Sequence, residues 1–199
     1  MKKLTMIAGG DIILGENPEI YFDGVKDALK AADVRVGQLE VMYGKDIPAY
    51  GDLNRELENL APLKERFDVL TLSGNHIFDG GSESIEQTIM WLDENQILHT
   101  GGGMNLKEAE RPVIIERDGV RLGFLNYNCT GPRVSRAGEG KAGGAYVEIL
   151  TQYELGDVAN PGGPPTVIKT SPEAGSFRKM KEQIRKLRCE CDVLSVYFH

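Results

Sequence analysis

The chain has 199 residues, 41% hydrophobic and 27% charged, with a formal net charge of -7. That is ordinary for a single soluble domain with room for a sizeable core. The acidic balance argues against a general nucleic-acid or anionic-membrane binder, which needs an excess of Lys and Arg, and no apolar run nears the roughly 20 residues of a membrane span.

The N-terminal stretch KLTMIA (Lys3 to Ala8) predicts a first strand. Its apolar part is too short for a signal peptide, and polar residues follow at once. Residues Ile20 to Ala32 predict a helix, with Val25, Leu29 and Ala32 at helical spacing. Val34 to Glu40 is a second strand. Leu53 to Phe67 reads as helical with a break near Pro62. Asp68 to Ser73 is a third strand.

Ser82 to Gln96 is an amphipathic helix on which Ile85, Ile89 and Leu92 share a face, with Ser82 and Glu83 suited to its start. A short strand at Ile97 to His99 leads into the glycines of TGGGMNL, read as a turn in which Asn105 caps a short helix. The run PVIIERDGVRLGFLNY predicts a hairpin turning at Asp118-Gly119.

Residues 127 to 165 are rich in Gly and Pro and predict one long functional or disordered loop. Its basic residues Arg133, Arg136 and Lys141 read mainly as solvated charges, with closure over an anionic substrate as the alternative. A final helix is expected from Ser171 as N-cap and Pro172 as first residue, with Phe177, Met180, Ile184 and Leu187 as its apolar stripe. DVLSVYFH closes the chain as a strand. Alternating strands and helices predict an α/β fold with a largely parallel N-terminal sheet, in one domain over residues 1 to 199.

Cys129, Cys189 and Cys191 make neither an even disulfide framework nor a zinc set. They are expected to be reduced thiols in a cytoplasmic protein.

The chemistry lies at the strand ends. The first strand runs to Asp11, the second to Glu40, the third to Asn75 and His76, and the last to His199. Taken singly, each has a plain reading: Asp11 as a turn residue after Gly-Gly, Glu40 as a solvated loop carboxylate. Together they carry more weight, because ligands of open α/β sheets bind at the carboxyl ends of the strands. Two carboxylates, an amide and an imidazole form a mixed oxygen and nitrogen set suited to Mn²⁺, Mg²⁺, Fe or Zn²⁺. In this reading Asn75 is a ligand and His76 stands beside the metal to move a proton or hold a substrate oxygen.

The motifs GGDIILG, QLE, SGNHIFDGG, GGGMNLKEAERPVI and DVLSVYFH, in that order, resemble the bacterial capsule-synthesis (CapA, poly-gamma-glutamate capsule) family. The resemblance covers nearly the whole chain. It implies a calcineurin-like metallophosphoesterase fold, an αββα sandwich, expected here to be incomplete at the C-terminus. It places Asp11, Glu40, Asn75 and His199 as metal ligands, Glu40 being the acidic residue that bridges two metals. It places His76 beside a phosphate and leaves Asp79 to orient His76 or add a ligand. The sequence departs from standard metallophosphoesterases in having Ile13 where Asp-x-His is usual and Glu40 for the bridging Asp, and no Gly-His-x-His region occurs before His199.

The expected function is therefore a divalent-metal-dependent hydrolase acting on a phosphoryl or acyl bond, in a small molecule or an anionic polymer. The alternatives are a non-catalytic component binding poly-gamma-glutamate during capsule assembly, and a truncated inactive domain. An uncovered final strand is expected to make the chain pair with a second copy or behave poorly alone. The family also includes members associated with the cell envelope.

Overall fold

The computed structural model describes residues 3–47, 55–154 and 167–199. In chain order the strands are β1 (Met6–Ile12), β2 (Val34–Leu39), β3 (Val69–Thr71), β4 (Leu98–Thr100), β5 (Gly102–Gly103), β6 (Val113–Arg117), β7 (Val120–Tyr127), β8 (Gly143–Gly144), β9 (Ile149–Glu154), β10 (Val167–Pro172) and β11 (Val193–Phe198). The helices are α1 (Lys26–Ala31), α2 (Gly81–Glu94), α3 (Leu106–Ala109) and α4 (Ala174–Arg188).

Strands β1 to β4 form one sheet in sequence order, every pair parallel. A second sheet has the order β11-β7-β6, with β11 parallel and β6 antiparallel to β7. The two pack face to face. Val34, Val36 and Val69 of the first sheet share a buried cluster with Val113, Ile115, Leu122 and Phe124 of the second. The other face of the first sheet buries Leu39 and Leu70 against Ile85 and Leu92 of α2 and Leu60 and Leu63 of a 3-10 helix. The other face of β7 puts Leu125 and Tyr127 against Met180 and Leu187 of α4. This is a four-layer αββα sandwich, and its strands read as apolar runs because both sheets are covered. Each side chain buried as fully as Phe124 contributes roughly 1.5–3 kcal/mol of transfer free energy.

The hairpin turn is where the sequence puts it. Asp118 (φ 51°) and Gly119 (φ 78°) both take positive φ, the pair of conformations a two-residue type I′ turn requires. Asn105 caps α3, its side chain accepting from the backbone N–H of Glu108.

Other expectations need correction. The Ile20–Ala32 helix divides into a 3-10 helix at Pro18–Phe22 and the short α1, with Gly24 between them, where a helix interior costs a glycine about 1 kcal/mol. The described part of Leu53–Phe67 is a 3-10 helix, Leu57–Glu65, with Pro62 inside it; proline cannot donate the bond an α-helix needs there. Helix α2 begins at Gly81 with Gly80 as N-cap, so Ser82 lies in its first turn.

Ser171 is not the N-cap of α4. Ser171 and Pro172 pair with Leu150 and Ile149 in the β9–β10 hairpin. Glu173 takes the cap, its carboxylate accepting from the N–H groups of Gly175 and Ser176, both at 2.7 Å. A carboxylate there also faces the positive end of the helix dipole. The loop expected over residues 127 to 165 contains a 3-10 turn (Arg133–Ser135), β8 and β9, while its residues 155–165 lie outside the described part.

Candidate metal centre

The site forms where the carboxyl ends of β1, β2, β3 and β11 meet. Between Ala8 and Asp11 the β1–β2 register slips by one residue at Gly9-Gly10. Such a bulge bends the strand and re-aims the side chain that follows. Asp11 is exposed at that point, with 54% of its side chain accessible.

Glu40 follows β2 and is only 4% exposed. Its Oε2 is buried and, among the described residues, has no hydrogen-bond partner. Burial, and then repulsion from the Asp11 carboxylate, push the Glu40 carboxyl up to about 7; His76 opposes this and Asp79 adds to it. Gly74, just past β3, is required here by space. A Cβ at that position would lie 2.8 Å from Glu40 Oε2.

His199 continues β11. Its backbone N–H donates to Tyr127 O (3.0 Å) and its carbonyl accepts from Cys129 N–H (2.8 Å), which holds it to the end of β7. Its imidazole lies among oxygens: Nε2 is 2.6 Å from Asn75 Oδ1 and 3.4 Å from Glu40 Oε1, and Nδ1 is 3.6 Å from Asp11 Oδ1. Asp11, Glu40 and His199 each offer a ligand atom within 4.8 Å of the others. Asn75 is at the same place, engaged with the His199 imidazole in this form.

Glu40 carries the fit of this set to a divalent cation. A buried carboxylate oxygen without a partner costs free energy unless a cation or proton satisfies it. Two carboxylates and an imidazole form a donor set that Mn²⁺, Fe or Zn²⁺ accepts, and Mg²⁺ less readily. The residues fit.

His76 and Asp79 stand beside the cluster. His76 Nδ1 lies 2.6 Å from Asp79 Oδ2 with both side chains part-buried, and both charges act on Glu40. The carboxylate fixes the orientation of the imidazole.

Sequence reasoning missed Asn126, which is 1% exposed. Its Oδ1 accepts from Ser73 N–H (2.5 Å), and its Nδ2 donates to the carbonyls of Ser73 and Tyr197 (3.4 Å each). One amide on β7 thus ties the end of β3, which leads to Asn75, to the end of β11, which leads to His199. The available signal was a polar side chain inside the apolar run LGFLNY, since buried polar groups are seldom left without a bonding role.

The loop cations do not extend the cluster. Arg133 and Arg136 pair with Glu148 at 2.7 and 3.1 Å. A cavity of about 1110 Å³ lies between α3 and α4, lined by residues including Arg111, Lys179, Gln183 and Glu190, and it contains none of the site residues. Among the described residues no helix is long and apolar enough to cross a membrane.

Two proteins of Sinorhizobium fredii, named y4sH and y4uA and described as uncharacterized, are each 30% identical over 149 residues, 67% of this chain and 32% of theirs. The capsule biosynthesis protein CapA of Bacillus anthracis is 29% identical over 143 residues, 63% of this chain and 35% of that protein. The chain thus spans about a third of the length of the curated relatives it matches. The family described as bacterial capsule synthesis protein PGA_cap matches residues 5–199. With an αββα sandwich whose strand ends converge on Asp11, Glu40 and His199, and a family match over almost every residue, the chain belongs to the bacterial capsule synthesis protein family.

Proposed function

We propose that the protein is a divalent-cation-dependent hydrolase acting on a phosphoryl or acyl centre. The observation that carries this reading is the convergence of Asp11, Glu40 and His199, together with a buried Glu40 oxygen that has no hydrogen-bond partner among the described residues. Asp11, Glu40 and His199 would hold the cation, with Asn75 joining them or holding His199 in place. When bound, the cation would polarise a substrate oxygen and lower the pKa of a bound water.

His76 is the proton donor to the leaving group in this reading. Asp79 accepts from His76 Nδ1, stabilises the imidazolium and fixes the face the ring presents. The substrate is a small molecule or an anionic polymer, and a homo-oligomer is part of the proposal. Val193 and Phe198, on the β11 edge of the second sheet, are 45% and 57% exposed, which supports self-association through that strand.

A second reading is a non-catalytic binding component in poly-gamma-glutamate capsule assembly. It is favoured by the likeness to a protein named for capsule biosynthesis. Metal analysis of the purified protein, followed by a hydrolysis screen with Mn²⁺, Mg²⁺ and Zn²⁺, separates the two. Tight stoichiometric metal with metal-dependent turnover is expected, both lost in Asp11→Asn. Protein that binds no divalent cation sinks the hydrolase reading, and bound metal without turnover on any ester or amide favours the assembly role.

A further inference from the structure

Lys141 lies outside the metal cluster, on the segment between the 3-10 turn at Arg133–Ser135 and β8. Its ammonium donates to three backbone carbonyls: Val134 (2.6 Å), Arg136 (2.9 Å) and Ala142 (2.9 Å). An ammonium has three donors and no acceptor, so this set uses all of them on main-chain oxygen. The same nitrogen sits 3.9 Å from the centroid of the Phe78 ring. A cation placed there meets the negative face of the ring quadrupole.

Phe78 is inside the turn that carries His76 and Asp79. That turn is closed by Asp79 N–H to His76 O (3.2 Å) and Gly81 N–H to Phe78 O (2.9 Å). The loop reaches the same turn at its other end. Gly131 has φ +81°, and a Cβ there would lie 2.5 Å from the Cβ of Asn75. Residues 131 to 141 therefore grip Asn75 to Asp79 at two points, one by close backbone approach and one by a charge.

We propose that Lys141 is a positioning residue that latches this loop onto the His76–Asp79 turn through the Phe78 ring. The carbonyl cage fixes the ammonium, and the ammonium fixes Phe78. The ring's backbone in turn sets where the His76 imidazole and the Asp79 carboxylate stand. Lys141 is not placed to touch substrate. Its relevance to the chemistry rests on the role of His76 proposed above, but the latch itself is a statement about the turn.

The test uses two variants. Lys141→Met keeps the stem and removes the charge and donors. Phe78→Leu leaves the carbonyl cage whole and removes only the ring. In both, amide hydrogen exchange at Asp79 and Gly81 should rise about tenfold, while exchange at Val36 and Leu70 in the first sheet stays unchanged. The double variant should add little to Lys141→Met alone, since that change already removes the contact with the ring. Mn²⁺ affinity should be unchanged, because neither side chain is among Asp11, Glu40 and His199. Where wild type turns over, kcat should fall with KM unmoved. Exchange at Asp79 and Gly81 that stays at wild-type rates in Phe78→Leu, or rises equally throughout the chain, overturns the latch. A wild type that binds Mn²⁺ but hydrolyses nothing overturns the hydrolase reading instead, and the exchange data still decide the latch.

Discussion

Replacing Glu40 with Gln should make the metal-free protein more stable at pH 8 while removing its hold on a cation. The Glu40 carboxyl is raised from 4.5 to about 7 by burial and by the neighbouring Asp11 carboxylate. Between those values the folded chain keeps a proton that the unfolded chain has released. Stability therefore falls as pH rises through this window, and the contribution present below pH 4.5 is lost above pH 7. At about 1.4 kcal/mol per pH unit, the ionised carboxylate costs the folded state about 3 kcal/mol at pH 8. A neutral amide of the same shape avoids that cost. The assay is urea unfolding of EDTA-treated wild type and Glu40→Gln at pH 5 and pH 8. The gap should be under about 1 kcal/mol at pH 5, where Glu40 is protonated in the folded chain and already mostly ionised in the unfolded one. At pH 8 the variant should be more stable by about 2–3 kcal/mol. Adding Mn²⁺ at about 100 times its Kd should return about 2.7 kcal/mol to the wild type and nothing to the variant. A variant no more stable than wild type at pH 8, or a gap that does not change with pH, would refute the idea that Glu40 is a strained carboxylate waiting for a cation.

Because a metal ligand must be deprotonated, Mn²⁺ affinity measured by calorimetry should fall about tenfold per pH unit below about pH 7. His76→Ala should lower turnover by about 10²-fold or more while leaving metal content, measured by elemental analysis, at the wild-type level. Gly131→Ala combines a positive φ with a Cβ placed 2.5 Å from Asn75 Cβ, and chemical denaturation should show a loss of about 2 kcal/mol. Asn126→Ala leaves the N–H of buried Ser73 without its partner and frees the ends of β3 and β11 from one another. It should cost about 2–4 kcal/mol and weaken Mn²⁺ binding as well.

The sequence by itself determined the local part of this protein. Apolar runs marked β2, β3, β7 and β11, because strands covered on both faces need little polar alternation. Period-3.6 spacing marked the body of α2 and α4. Asp118-Gly119 marked its turn, since two positive φ values in a row leave few other residue choices. The ligand-type residues at four strand ends were legible for the same reason: a carboxylate or imidazole that closes an apolar run stands out from what precedes it.

What the sequence could not show were features whose partners are distant along the chain. Gly102–Gly103 and Gly143–Gly144 pair with each other as β5 and β8. Glycine carries no strand signal, and only tertiary approach gives these residues a ladder. Ser171-Pro172 has the local chemistry of a helix start, but pairing with Ile149 and Leu150 extends the strand and passes the cap to Glu173. Asn126 reads as an interruption of a strand until Ser73 and Tyr197 are brought to it from 53 and 71 residues away. Lys141 reads as a solvated loop charge until Phe78 lies beneath it. Glu40 becomes a carboxyl that ionises near neutrality only once folding buries it beside Asp11, 29 residues earlier in the chain, because the shift comes from desolvation and from a charge that only the tertiary structure brings near.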